Sequence, residues 1–136
     1  MFELLDHPSD GGILAHGQSR EEALVEASLG LCSIMFNRDG LATYEERTFQ
    51  ASGLDEAAQI VNWMNEILFF FDTESFAPVD FTIDSWTDKE ITGRARGAFF
   101  DFGKNEFRTA VKAATFHQFE SQAAPEGWEI RVFVDV

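Results

Sequence analysis

The chain has 136 residues, 45% of them hydrophobic, with 15 Phe and 3 Trp. That is enough to build one domain around its own core, and too apolar for a disordered segment. Its 24 acidic and 10 basic residues leave a net charge of −14, which argues against direct nucleic-acid binding and either points to cations or a basic protein surface as partners or serves solubility alone.

Met1 to Leu5 reads as a short strand. No basic segment followed by an apolar run opens the chain, so no signal peptide is expected. Asp6-His-Pro-Ser-Asp-Gly-Gly12 is rich in turn formers and reads as a turn, after which Ile13 to His16 resumes as a strand. Ser19 followed by Glu22 has the spacing of a capping box. Ala23, Leu24, Ala27, Leu31, Ile34 and Met35 follow at helical spacing. Cys32 sits in this stretch as a small core residue, and a single cysteine forbids an internal disulfide, as suits a reducing cytoplasm. The helix ends across Asn37 to Gly40.

Tyr44 to Ser52 reads as a strand. Asp55 opens a second helix, with Ala57, Ile60, Val61, Met64, Ile67, Leu68 and Phe71 in one apolar stripe and Trp63 and Phe70 toward its edges. Its apolar run is far too short to span a bilayer, and no membrane partner is expected. Pro78 separates this helix from a β-rich second half. Val79, Phe81 and Ile83 alternate with polar residues; Ile91 to Phe100 reads as a strand in which Gly93 and Gly97 mark a bend or bulge. In Thr109 to Glu120, Val111, Ala113, Thr115 and His117 share one face, and Lys112, Ala114, Phe116 and Gln118 share the other. Trp128 to Val136 closes the chain with the same alternation. The expected class is α+β: a single domain over residues 1–136, with two helices packed on curved antiparallel or mixed β-sheet layers.

Three constellations offer chemistry. Asp6, His7, Ser9 and Asp10 share the glycine-flanked turn, where two carboxylates offer hard oxygen ligands for Ca²⁺ or Mg²⁺, or accept local backbone hydrogen bonds as ordinary turn residues. Asp135 and the α-carboxylate of Val136 put two acidic groups side by side, a repulsion that a cation or donor between them relieves; the alternative is a solvated tail. Lys112, Thr115 and His117 lie on one late strand. There Lys112 is a counter-ion, a partner-facing charge or a snorkelling strand-edge lysine, and His117 is a ligand, a base or a hydrogen-bonded structural residue. The nucleophile elbow, the P-loop, the dinucleotide fingerprint, the His-Glu-x-x-His helix and paired zinc cysteines do not occur.

The motifs resemble those of the archease family. Asp6-His-Pro-Ser-Asp-Gly-Gly-Ile13 resembles its Asp-His-Thr-Ala-Asp opening. Gly17 with Ser19-Arg-Glu-Glu-Ala23 resembles the entry to its first helix, and Ile60-Val-Asn-Trp-Met-Asn-Glu-Ile-Leu68 its second-helix signature. Val111-Lys-Ala-Ala-Thr-Phe-His117 resembles its Val-Lys-Ala-x-Thr-Tyr-His strand, and Phe133-Val-Asp-Val136 its ending. Pro8-Ser9 stands for Thr-Ala, Ala110 for a usual Glu, Asn105 in a region where many members carry His, and Phe116 for the tyrosine. The resemblance implies a cytoplasmic non-enzyme that activates the GTP-dependent tRNA-splicing RNA ligase, its protein partner. It also implies a divalent metal, Ca²⁺ first with Mg²⁺ or Mn²⁺ as alternatives, held by Asp10, Asp135 and Val136. Asp6, His7, Lys112 and His117 are the expected partner-facing residues. The rival readings are a metal-dependent hydrolase using Asp10, Asp135 and His117, and a general chaperone binding apolar clients at Phe69 to Phe71.

Overall fold

The computed structural model describes residues 1–136 apart from His7, Pro8 and Ser9, and describes Asp6 and Asp10 by their backbone alone. The element order is β1 (Phe2–Asp6), β2 (Asp10–Gly17), α1 (Arg20–Met35), β3 (Glu45–Ser52), α2 (Glu56–Glu74), β4 (Phe76–Trp86), β5 (Glu90–Phe99), β6 (Ala113–Ala124) and β7 (Gly127–Asp135). Among the described residues, two helices and seven strands make an α+β domain. The strands form two sheets, ordered β1-β2-β7-β6 and β3-β5-β4, and every pairing is antiparallel.

Local chemistry sets the helix boundaries. The Ser19 hydroxyl accepts from the Glu22 amide at 3.1 Å, and the Asp55 carboxylate from the Ala58 amide at 2.8 Å. Each satisfies one of the amides a helix start leaves without an internal partner. At the far end of α2, Ser75 turns into the left-handed region at φ 53° and its amide returns to Phe71 O. The chain then enters β4 at once, so Pro78 lies inside a strand rather than between elements. It is tolerated because β4 is an edge strand with a register shift between Pro78 and Asp80. The irregularities expected at Gly93 and Gly97 fall instead on their partner: β4 shifts register opposite both, while β5 stays continuous.

Both helices contact strands of both sheets, α1 against β2, β7 and β4, and α2 against β6, β3 and β4. The core lies around them. Phe36, Phe71 and Phe100 pack with ring centroids 5.4–5.5 Å apart, and Phe49 packs against Trp63 at 5.2 Å and Phe70 at 5.1 Å. Trp63 is fully buried rather than at a stripe edge. Its indole N–H donates to the Ser28 hydroxyl at 3.0 Å, and that hydroxyl donates to Leu24 O at 2.7 Å. A buried polar pair thus ties α1 to α2 without leaving a donor unmet. Among the described residues, no helix is long and apolar enough to cross a membrane.

Candidate functional site

The candidate residues gather where four strands end. β2 and β7 are the central pair of the larger sheet, and their register sets Asp10 directly opposite Asp135. On the other flank of β7, Ala113 of β6 faces the same Asp135, and the Lys112 amide donates to Asp135 O at 2.8 Å. On the outer side of β2, Asp6 of β1 faces Gly11. Asp6, Asp10, Lys112 and Asp135 are therefore brought to one sheet end, with Val136 next in the chain. His7 lies outside the described residues.

Packing behind this end is tight. Gly11 and Gly12, expected in a turn, belong to β2. A β-carbon on Gly12 would stand 2.7 Å from Phe133 Cε1 and 2.8 Å from Leu5 Cβ, so the glycine allows three strands to close up. Ile130, Val132 and Val134 are fully buried and anchor the last strand. Asp135 is exposed, and Val136 retains 45% exposure, so both lie open to solvent beyond that anchor.

Thr115, already singled out, and Asn65, which was not, position the Lys112 flank. The Asn65 side-chain Oδ1 on α2 accepts from the Ala114 amide at 2.8 Å, and the Thr115 hydroxyl donates to Phe133 O at 3.0 Å. Asn65 stands within the Ile60–Leu68 motif, which was its only signal in the sequence. The strict alternation expected for this strand fails. Lys112 precedes β6, Ala114 rather than Ala113 is buried, and the β6–β7 register shifts between Thr115 and Glu120. Gln118 there takes φ 49°, and its carbonyl accepts from Arg131 Nε at 3.0 Å, so a guanidinium holds the bulge. His117 is exposed in this bulge, its ring edge-on to Phe133 at 6.0 Å.

The donors at this end fit a hard divalent cation in kind. Carboxylate oxygens are the ligands such ions prefer, and the Asp135 carbonyl, already engaged by Lys112, leaves that residue's carboxylate for the role. Beside this end, Met35, Phe71, Phe102, Phe107 and Val111 help to line a cavity of about 150 Å³, and Phe102 and Phe107 are exposed with ring centroids 5.3 Å apart.

Residues 2–136 match the Archease protein family (MTH1598/TM1083). The chain belongs to the archease family. A protein archease from Saccharolobus islandicus (strain M.14.25) is 33% identical across 99% of this chain and 98% of the relative. One from Methanosarcina barkeri is 27% identical across 99% and 95%. The solution structure of Methanobacterium thermoautotrophicum protein 1598 superimposes with a TM-score of 0.84 at 31% identity, covering 99% of this chain and 98% of that one. The crystal structure of a Thermotoga maritima archease, described as a possible chaperone, shares the fold with a TM-score of 0.62 at 20% identity, over 100% and 98% of the two chains. These family members are named as a protein or possible chaperone rather than as an enzyme.

Proposed function

We propose that this archease activates a GTP-dependent tRNA-splicing and RNA-repair ligase, promoting its guanylylation and turnover through an acidic tip that holds a divalent cation. The observation that carries this reading is the facing register of Asp10 and Asp135, which joins early and late carboxylate-bearing residues of an archease at one sheet end. Asp10, Asp135 and the Val136 α-carboxylate would hold the ion, Ca²⁺ first. When bound, such an ion offsets carboxylate repulsion and offers a positive centre to phosphate oxygens. The chain's own part is to set those groups at the end of a strand pair anchored by buried Ile130, Val132 and Val134, with the Lys112 amide bonded to Asp135 O and Lys112 and Asp6 as partner-facing residues. The net charge of −14 speeds encounter with a basic surface and disfavours direct contact with RNA.

The test is multiple-turnover ligation with limiting cognate ligase. Wild-type protein should raise turnover. Asp10→Ala, Asp135→Ala and a chain extended past Val136 should leave the ligase at its unaided rate while keeping wild-type circular dichroism. Stimulation at wild-type level by both alanine variants would refute the metal-tip mechanism.

A second reading, binding of apolar clients as a chaperone, expected at Phe69 to Phe71, is favoured instead by Phe102 at 61% and Phe107 at 39% exposure, because Phe71 is buried in the core. Aggregation assays with unrelated clients separate the two. Suppression that Phe102→Ser/Phe107→Ser abolishes, without any effect of this archease on the ligase, would support the chaperone.

A further inference from the structure

The β2–β7 pair that begins at Asp10 and Asp135 ends seven residue steps later at Gly17 and Trp128. At about 3.3 Å per residue, that end is about 23 Å away. It carries a groove of about 520 Å³. Its apolar lining comes from Ala124, Pro125 and Trp128, around the tight β6–β7 connection in which Ala124 faces Gly127. Gly127 takes φ 148°, and a β-carbon there would stand 2.1 Å from Gly17 O, so two backbones in close contact make a firm floor. The Trp128 indole N–H donates to the Ser121 hydroxyl at 2.8 Å, which fixes how the ring sits in the wall.

The charge of this groove is one-sided. Among its side chains Glu22, Glu126 and Glu129 line it with no Lys or Arg, and the Met1 ammonium at its edge is already paired with Glu26 at 2.6 Å. His16 stands 3.6 Å from Glu129. An apolar wall bearing an indole, surrounded by carboxylates, has the chemistry to hold a guanidinium: the aliphatic stem packs on the wall, the planar head lies on the ring or reaches the carboxylates. The molecule uses this combination internally, with Arg20 Cζ 4.2 Å over the Trp86 ring and its guanidinium 3.6 Å from Glu56.

We propose that this groove docks an arginine-bearing extended segment of a protein partner, at a site separate from the acidic tip and independent of the metal reading. A second copy of this chain is a poor occupant, since each copy carries −14 and the surfaces repel.

The probe is an N-acetylated nonapeptide of alternating glycine and arginine, compared with the same peptide carrying citrulline, which keeps the shape and removes the charge. Binding to the full chain is followed by anisotropy and by amide and indole N–H shifts. Saturable binding is expected, with shifts at Gly17, Gly127 and the Trp128 indole, and at least about tenfold weaker affinity for the citrulline peptide. Glu126→Gln/Glu129→Gln should weaken the arginine peptide about fivefold, from two exposed ion contacts of modest strength. Asp39→Asn/Asp88→Asn, which removes equal charge from exposed positions outside the groove, should change it less than about twofold. Equal weakening by the two variants, shifts centred on Ala113 and Asp135, or no saturable binding would each overturn the proposal.

Discussion

Substituting Gly12 by alanine tests whether three strands really close up behind the acidic end. The added methyl would stand 2.7 Å from Phe133 Cε1 and 2.8 Å from Leu5 Cβ. A ring can tilt, but Phe133 is only 5% exposed and has little room, and a β-carbon moves only with its strand. Overpacking of this kind costs about 1–3 kcal/mol. Alanine recovers about 0.4–1 kcal/mol by restricting the unfolded chain, leaving a net loss near 1.5 kcal/mol. At about 2.1 cal/mol/K per residue, 136 residues give an unfolding entropy of about 0.29 kcal/mol/K, so Tm should fall by about 5 °C. Thermal denaturation of Gly12→Ala, Phe133→Leu and the double variant measures this. In the Phe133→Leu background the cost of Gly12→Ala should shrink, because part of the obstruction is gone. A Gly12→Ala protein as stable as wild type, or a cost unchanged by Phe133→Leu, would refute the close approach. Gly12 and Phe133 each lie two positions from the facing Asp10 and Asp135, so terbium luminescence should also report weaker ion binding in Gly12→Ala.

Other outcomes follow from buried groups. Ser28→Ala leaves the Trp63 indole N–H unmet in a fully buried site and should cost about 1–3 kcal/mol in chemical denaturation. Burial raises the Glu66 carboxyl above its usual 4.5. The folded state therefore holds that proton more tightly than the unfolded chain and loses stability as pH rises through the folded value. Glu66→Gln should then raise Tm at pH 7, with the gain fading below about pH 4.5, as a pH series of melts would show. Burial also pushes the Cys32 thiol well up, so iodoacetamide should label it only on unfolding.

Much of this fold was legible because the decisive signals are local. Ser19 and Asp55 act through amides three residues on, and the stripe from Ile60 to Phe71 repeats at the helical period. What escaped depends on neighbours distant in sequence. Gly11 and Gly12 have turn composition but serve a three-strand contact that only Leu5 and Phe133 explain. Trp63 falls at the edge of a helical wheel, yet Ser28 on the other helix gives its N–H a buried partner. Pro78 reads as a break until β4 proves to be an edge strand, and Gln118 interrupts an alternation because Arg131 fills its bulge. At the candidate site, periodicity offered acidic groups near both ends of the chain but no reason for them to meet. The family resemblance supplied that expectation. The β2–β7 register now sets the two backbone positions face to face.

Putting β7 at the heart of the larger sheet has a kinetic cost. Its partner β2 leaves the ribosome long before it, yet this pairing must wait until Gly127 to Asp135 has been made. The loop to be closed spans nearly the whole domain, which slows such pairing. Until then the β2 edge that β7 fills stays unpaired on the nascent chain, although α1 can already pack on the face of the β1–β2 hairpin, and the smaller sheet, complete by Phe99, can mature first. A polypeptide interrupted before Gly127 would carry both helices and that sheet while lacking the strand that sets Asp135 opposite Asp10, so a late-made stretch decides whether the two acidic positions face each other at all.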